Sequence, residues 1–148
     1  MCSFTDPAGA AINAWEPKSH HGMTIDSLKH GAPSWIELMT NDVDRAGAFY
    51  GKVFGWQPSM KDKGGYVEFK SGTSMVAGMM GISKETGKMP PHWSPYITVD
   101  NIDQTVKSCA ASGGKVLMPP HDVPEVGKFA VMQTADGITF NAITYKKR

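Results

Sequence analysis

The stretch WIELMTNDVDRAGAFYGKVFGW, Trp35 to Trp56, constrains this chain more than any other because it spells out a whole strand-helix unit. Trp35, Glu37 and Met39 alternate with Ile36 and Leu38, the pattern of a strand with two differently solvated faces. Asn41 or Asp42 can cap a helix, and Val43, Ala46, Tyr50, Val53 and Phe54 then recur at helical spacing. Gly55 stands where a left-handed C-cap is wanted. The expectation is a strand, then a helix over Val43–Phe54.

A looser copy follows in ITVDNIDQTVKSCAASGGKVL, Ile97 to Leu117. Ile102-Asp103 matches Val43-Asp44, an offset of 59 residues (102 − 43), which sets Trp35 opposite Ser94 and Glu37 opposite Tyr96. Asp100 or Asn101 supplies the cap, Ile102, Val106, Cys109 and Ala110 the apolar stripe, and Gly113-Gly114 the stop. Two such units imply a duplicated module that cannot bury its apolar face alone.

Around these units the strands read as follows. Gln57–Lys61 and Gly65–Lys70 flank the turn Asp62-Lys63-Gly64, with Tyr66, Glu68 and Lys70 on a wet face and Val67 and Phe69 on a buried one. Ser74–Ile82 is a methionine-rich strand, and Ser83–Pro91 connects the modules. His92–Val99 opens the second module, Lys115–Met118 stops at Pro119-Pro120, HDVPEVG is a loop, and Lys128–Thr134 and Ile138–Tyr145 close the chain. Each module therefore reads βαβββ. At the N-terminus, Asp6-Pro7-Ala8-Gly9 is a turn and Ala10–Trp15 an extra strand that resembles the chain's own last strand and should add to a sheet edge, either its own or a partner's.

Composition narrows the function classes. The 148 residues give room for one domain with a real core, and a net charge of +1 with scattered lysines offers no field for a nucleic-acid backbone. No apolar run approaches a membrane span, and the first residues lack the pattern of a secretory signal. Cys2 and Cys109 are too few for a disulfide framework, so a reducing cytoplasm is expected. His20, His21 and His30 lack a carboxylate or thiol at rigid spacing and fit a solvated linker better than a metal site.

Taken with MPPHWSPYITVDNIDQTV and GGKVLMPPHDVPEVGKFAVMQTADGITF, the first unit resembles the vicinal oxygen chelate superfamily, the fold of glyoxalases, bleomycin-resistance proteins and extradiol dioxygenases. The likeness covers Gly31 to Tyr145 and is greatest to glyoxalase-like proteins that carry two such domains in tandem. It implies an α+β fold in which two βαβββ modules form a curved mixed sheet around a cleft, with an extra N-terminal strand. On this reading residues 1–30 resemble the end of a preceding domain and 31–148 form one glyoxalase-like domain, module one over 33–82 and module two over 92–146.

The resemblance also implies where a metal would be held: on the first and last strands of each module. Those positions fall on Trp35, on Ser94, on Asn141 and near Val76 to Gly78, and none is a good ligand for a divalent cation. The expected site is therefore metal-free and without cofactor, lined by Trp35, Glu37, His92, Ser94, Tyr96 and Asn141, with Trp93 or Phe140 adding aromatic surface and His121 at its mouth. Three functions follow. The first is a homodimeric protein that encloses an apolar or aromatic small molecule. The second is a glyoxalase- or dioxygenase-type enzyme holding zinc, nickel, manganese or iron through Glu37 and His92. The third is an assembly domain without chemistry.

Overall fold

The computed structural model describes residues 1–20, 22–60, 62, 64–83 and 89–146. Of the expectations above, His21, Lys61 at the end of the expected Gln57–Lys61 strand, Lys63 in the turn after it and the middle of the 83–91 connection lie outside the described residues. Among the described residues the architecture is α+β: an N-terminal hairpin, two helices and two four-strand sets of βαβββ order. The chain divides into two compact units, Met1–Gly22 with Trp35–Trp93, and Met23–Ser34 with the chain from Ser94 onward. Among the described residues no helix is long and apolar enough to cross a membrane.

In the first unit β3 (Pro33–Thr40) leads into α1 (Val43–Phe54), followed by β4 (Gln57–Pro58), β5 (Val67–Ser71) and β6 (Ser74–Gly81). Their order is β4-β5-β6-β3, with β3 parallel to β6 and the other pairs antiparallel. The helix begins where its capping chemistry is complete: Asp42 is extended and its carboxylate accepts from the Arg45 N–H at 3.0 Å. It ends at Gly55, whose φ of 70° is left-handed. Ala46 and Tyr50 pack with Leu38, Val67, Phe69, Ala77 and Met79, so these odd- and even-numbered strand residues mark the helix-facing side of the sheet. Val53, expected on the apolar stripe, is 47 % exposed, because the buried arc is centred on Ala46 and Tyr50. β4 is shorter than expected, two residues rather than five, and β5 begins at Val67 rather than Gly65.

The N-terminus carries one strand more than the sequence reading predicts. The expected strand is present as β2 (Ala11–Ala14), and it pairs antiparallel with β1 (Cys2–Thr5) in a hairpin of its own, apart from the main sheet. The intervening turn is held by Asp6, whose Oδ1 accepts from Ala8 N and Ala10 N at 2.9 and 3.0 Å. Its Oδ2 accepts from the Tyr50 hydroxyl at 3.1 Å, and that hydroxyl receives the Trp93 indole N–H at 2.9 Å. Phe4 packs on Phe49 and Phe54, and Ala10 is fully buried. The hairpin is thus part of the first unit's core.

The second unit repeats the topology. β7 (His92–Thr98) leads to α2 (Ile102–Ala111), then β8 (Lys115–Val123), β9 (Gly127–Gln133) and β10 (Thr139–Tyr145) follow. The order is β7-β10-β9-β8, with β7 parallel to β10. Asn101 caps α2 through Gln104 N, and the core gathers Val99, Ile102, Ala130, Met132 and Ala142; Ala110 is exposed. β8 does not stop at Pro119-Pro120 but runs on to Val123. The prolines are tolerated because β8 is the last strand in its order and its register shifts twice, between Val116 and Met118 and between Met118 and His121, so no ladder donor is needed there. The expected loop shrinks to a tight turn in which Val126 N donates to Val123 O.

Candidate functional site

The strand faces turned away from the helices carry the polar groups. In the first unit that face holds Trp35 and Glu37 from β3, Gly78 from β6, and Tyr66 and Glu68 at the start of β5, by alternation with the helix-facing Leu38, Ala77, Met79, Val67 and Phe69. Glu37, Gly78 and Glu68 are in register across three neighbouring strands. The Trp35 Nε1–H donates to the Tyr66 hydroxyl at 3.0 Å, and that hydroxyl donates in turn to the Glu37 carboxylate. Burial, first, and then the Glu37 charge and its hydrogen bond push the Tyr66 phenol well above the usual tyrosine range, with Glu68 adding to the effect. Tyr50 is raised for a similar reason, burial foremost and then Asp6.

Both phenols should therefore stay neutral where an ordinary tyrosine ionises. In a titration followed at 295 nm, Tyr50→Phe or Tyr66→Phe should leave the amplitude near pH 10 unchanged; loss of roughly a quarter to a third of it in either variant would contradict the geometry, since the chain has 4 tyrosines. A raised folded pKa means the folded state holds its proton longer than the unfolded state. The stability contributed is complete below the unfolded value of 10.0 and is lost as pH rises from there toward the folded value.

In the second unit the equivalent face holds Ser94 and Tyr96 on β7 and Asn141 on β10, all three buried. Asn141 Nδ2 donates to Ser94 Oγ at 2.9 Å, and Asn141 pairs in register with Tyr96. Tyr96 lies against Phe129, their ring centroids 5.8 Å apart. Glu37 with Gly78 in one unit and Tyr96 with Asn141 in the other hold the same register positions, so the counterpart of Asn141 is Gly78.

The remaining candidates are placed differently. His92 begins β7 and its Nδ1 lies 2.8 Å from the Pro90 carbonyl, which ties the ring back to its own turn. His121 is exposed on β8 with its ring edge against Phe129, on a strand rather than in the expected loop. His20 packs against Trp15, and His30 sits beside Asp100. Trp93 and Phe140 belong to the helix-side cores of their units. Sequence reasoning placed Tyr66 on a merely wet face and so missed it; the available signal was the glycine at position 78, next to a methionine-rich run.

The four positions implied for a metal thus carry an indole whose N–H is engaged, a hydroxyl and an amide bonded to each other, and a glycine. Such a set does not fit a divalent cation, which wants imidazole, carboxylate or thiolate. Among the described residues no three His, Cys, Asp or Glu side chains group closely enough to hold one.

A model of the glyoxalase/bleomycin resistance protein/dioxygenase superfamily matches residues 32–142. The chain belongs to this superfamily. It is 38 % identical over 146 residues to CFP32 of Mycobacterium bovis, a protein provisionally named a glyoxylase, covering 97 % of this chain and 55 % of that one. It is 29 % identical to the anthracycline biosynthesis protein DauV of Streptomyces sp. strain C5, covering 99 % of this chain and 53 % of the relative. The chain therefore spans about half the length of the curated relatives it matches. The crystal structure of a Mn(II)-bound glyoxalase from Novosphingobium aromaticivorans shares the fold with a TM-score of 0.54 and 21 % identity, over 74 % of this chain and 37 % of that one.

Proposed function

We propose that this member of the superfamily is a small-molecule-binding protein that encloses an apolar or aromatic ligand without the metal site of the metal-dependent branches. The observation that carries this is the donor set: Trp35, Ser94, Gly78 and Asn141 stand where ligating side chains would be needed. Trp35 supplies aromatic surface, and Met39 and Met80, paired in register on the same face of the first unit, supply polarizable apolar surface suited to varied ligands. Glu37 and Tyr66, and separately Ser94, Tyr96 and Asn141, are the polar groups that would orient the ligand. Residues 31–148 act on this reading as one glyoxalase-like domain, which we expect to pair as a homodimer or with a second domain of a longer chain.

The test is the metal content of protein purified without chelator or affinity metal, beside apo protein reloaded with zinc, nickel, manganese and iron, read by plasma mass spectrometry. Less than about 0.1 equivalent per chain is expected after dialysis, with an aromatic compound screen then giving binders at micromolar to millimolar Kd. About one equivalent retained, lost in Glu37→Ala or His92→Ala, would replace this reading with the metal-dependent enzyme.

A further inference from the structure

In the first unit, the space where a last-strand ligand side chain would stand is taken by another residue. A Cβ built on Gly78 would lie 1.8 Å from the Tyr66 hydroxyl oxygen, 2.5 Å from its Cζ and 2.9 Å from Trp35 Nε1. No side chain at 78 is compatible with that arrangement, so the glycine and the phenol are two halves of one feature. The hydroxyl sits over Gly78 with Glu37 on the strand to one side and Glu68 on the strand to the other.

The hydrogen-bonding capacity of a phenol then decides what else this oxygen can meet. A tyrosine hydroxyl has one proton to donate and two lone pairs to accept with. Its proton is directed at Glu37, and one lone pair receives the Trp35 N–H. What remains is an acceptor. The neighbouring carboxylates are acceptors as well, so this corner repels an anionic oxygen and offers nothing to a carbonyl, the reverse of what a bound cation would do.

We propose that Tyr66, seated over Gly78 and fixed by Trp35 and Glu37, is the specificity-determining residue of the first unit's site, accepting a hydrogen bond from a hydroxyl or N–H of an aromatic ligand. The inference rests on the small-molecule reading above and names the ligand class that reading leaves open: phenols and aryl amines, rather than aryl carbonyls or carboxylates.

The experiment is equilibrium dialysis of naphthalene, 2-naphthol and 2-naphthylamine against wild type and Tyr66→Phe. Wild type should bind the two donors about tenfold more tightly than naphthalene, the effect of one well-placed hydrogen bond. In Tyr66→Phe that ratio should fall to within about twofold, whatever the change in naphthalene affinity itself. A donor preference that survives in Tyr66→Phe overturns the inference and leaves the small-molecule reading standing. Absence of binding by all three to wild type at about 1 mM removes that reading, and the inference with it. Should Tyr66→Phe fail to fold, Gly78→Ala, which drives the hydroxyl away but keeps the ring, is to be measured for the same ratio.

Discussion

Alanine at position 127 is expected to destabilise the chain by at least about 3 kcal/mol, a drop in Tm of roughly 6–12 °C. Gly127 opens β9 and pairs with Tyr145 on β10. A Cβ there would lie 2.2 Å from the Thr144 carbonyl oxygen and 2.8 Å from the Tyr145 Cα. Both are backbone atoms of the partner strand, so no rotamer change relieves the clash and the strands must separate. A φ of 154° adds strain for any L side chain. Gly137→Ala is the matched control: its φ of 96° is also unfavourable, but nothing lies within 4 Å of the new Cβ. It should cost about 1 kcal/mol. Thermal melts of the two variants check this, and equal losses would show that strain, not the close approach of β10, sets the cost.

The second large effect is expected at the N-terminus. Asp6→Ala should cost about 3 kcal/mol, because the carboxylate is 4 % exposed and accepts from two backbone N–H groups and from Tyr50. Removing it takes the acceptor from three donors, two of them buried. The loss should also loosen the hairpin, so that limited proteolysis cuts between residues 6 and 20 before any other site. Asp6→Asn retains an acceptor for the turn and should cost about 1 kcal/mol. An unchanged melting curve for Asp6→Ala would mean that the hairpin is an appendage and not part of the first unit's core.

These two effects differ in how far the sequence foretold them. The turn at Asp6-Pro7-Ala8-Gly9 was legible, since aspartate followed by proline and glycine closes its own backbone hydrogen bonds locally. What was not legible is that Cys2–Thr5 would be a strand at all, for its pairing depends on Phe4 finding Phe49 and Phe54 on α1. The collision at Gly127 depends likewise on a strand seventeen or eighteen residues away in sequence.

The same division runs through the candidate site. Trp35, Ser94 and Asn141 became candidates only through the resemblance to the superfamily, whose ligand positions on the first and last strands were carried over onto this chain. Tyr66 was not among them. Its hydroxyl meets Gly78, Trp35 and Glu37 only because β5, β6 and β3 lie side by side in one register, and no local periodicity carries that information.

The sequence by itself determined the two strand-helix units, their caps at Asp42 and Asn101, the glycine stop at Gly55 and the superfamily, because helix and strand signals are local chemistry within a few residues. Only the tertiary structure decided that β8 continues through two prolines, that the N-terminal strand pairs with its own neighbour, and that Gly78 is a seat for a phenol. Each of these depends on which strand lies at an edge and which face meets which, and that is settled by packing between segments distant in the chain.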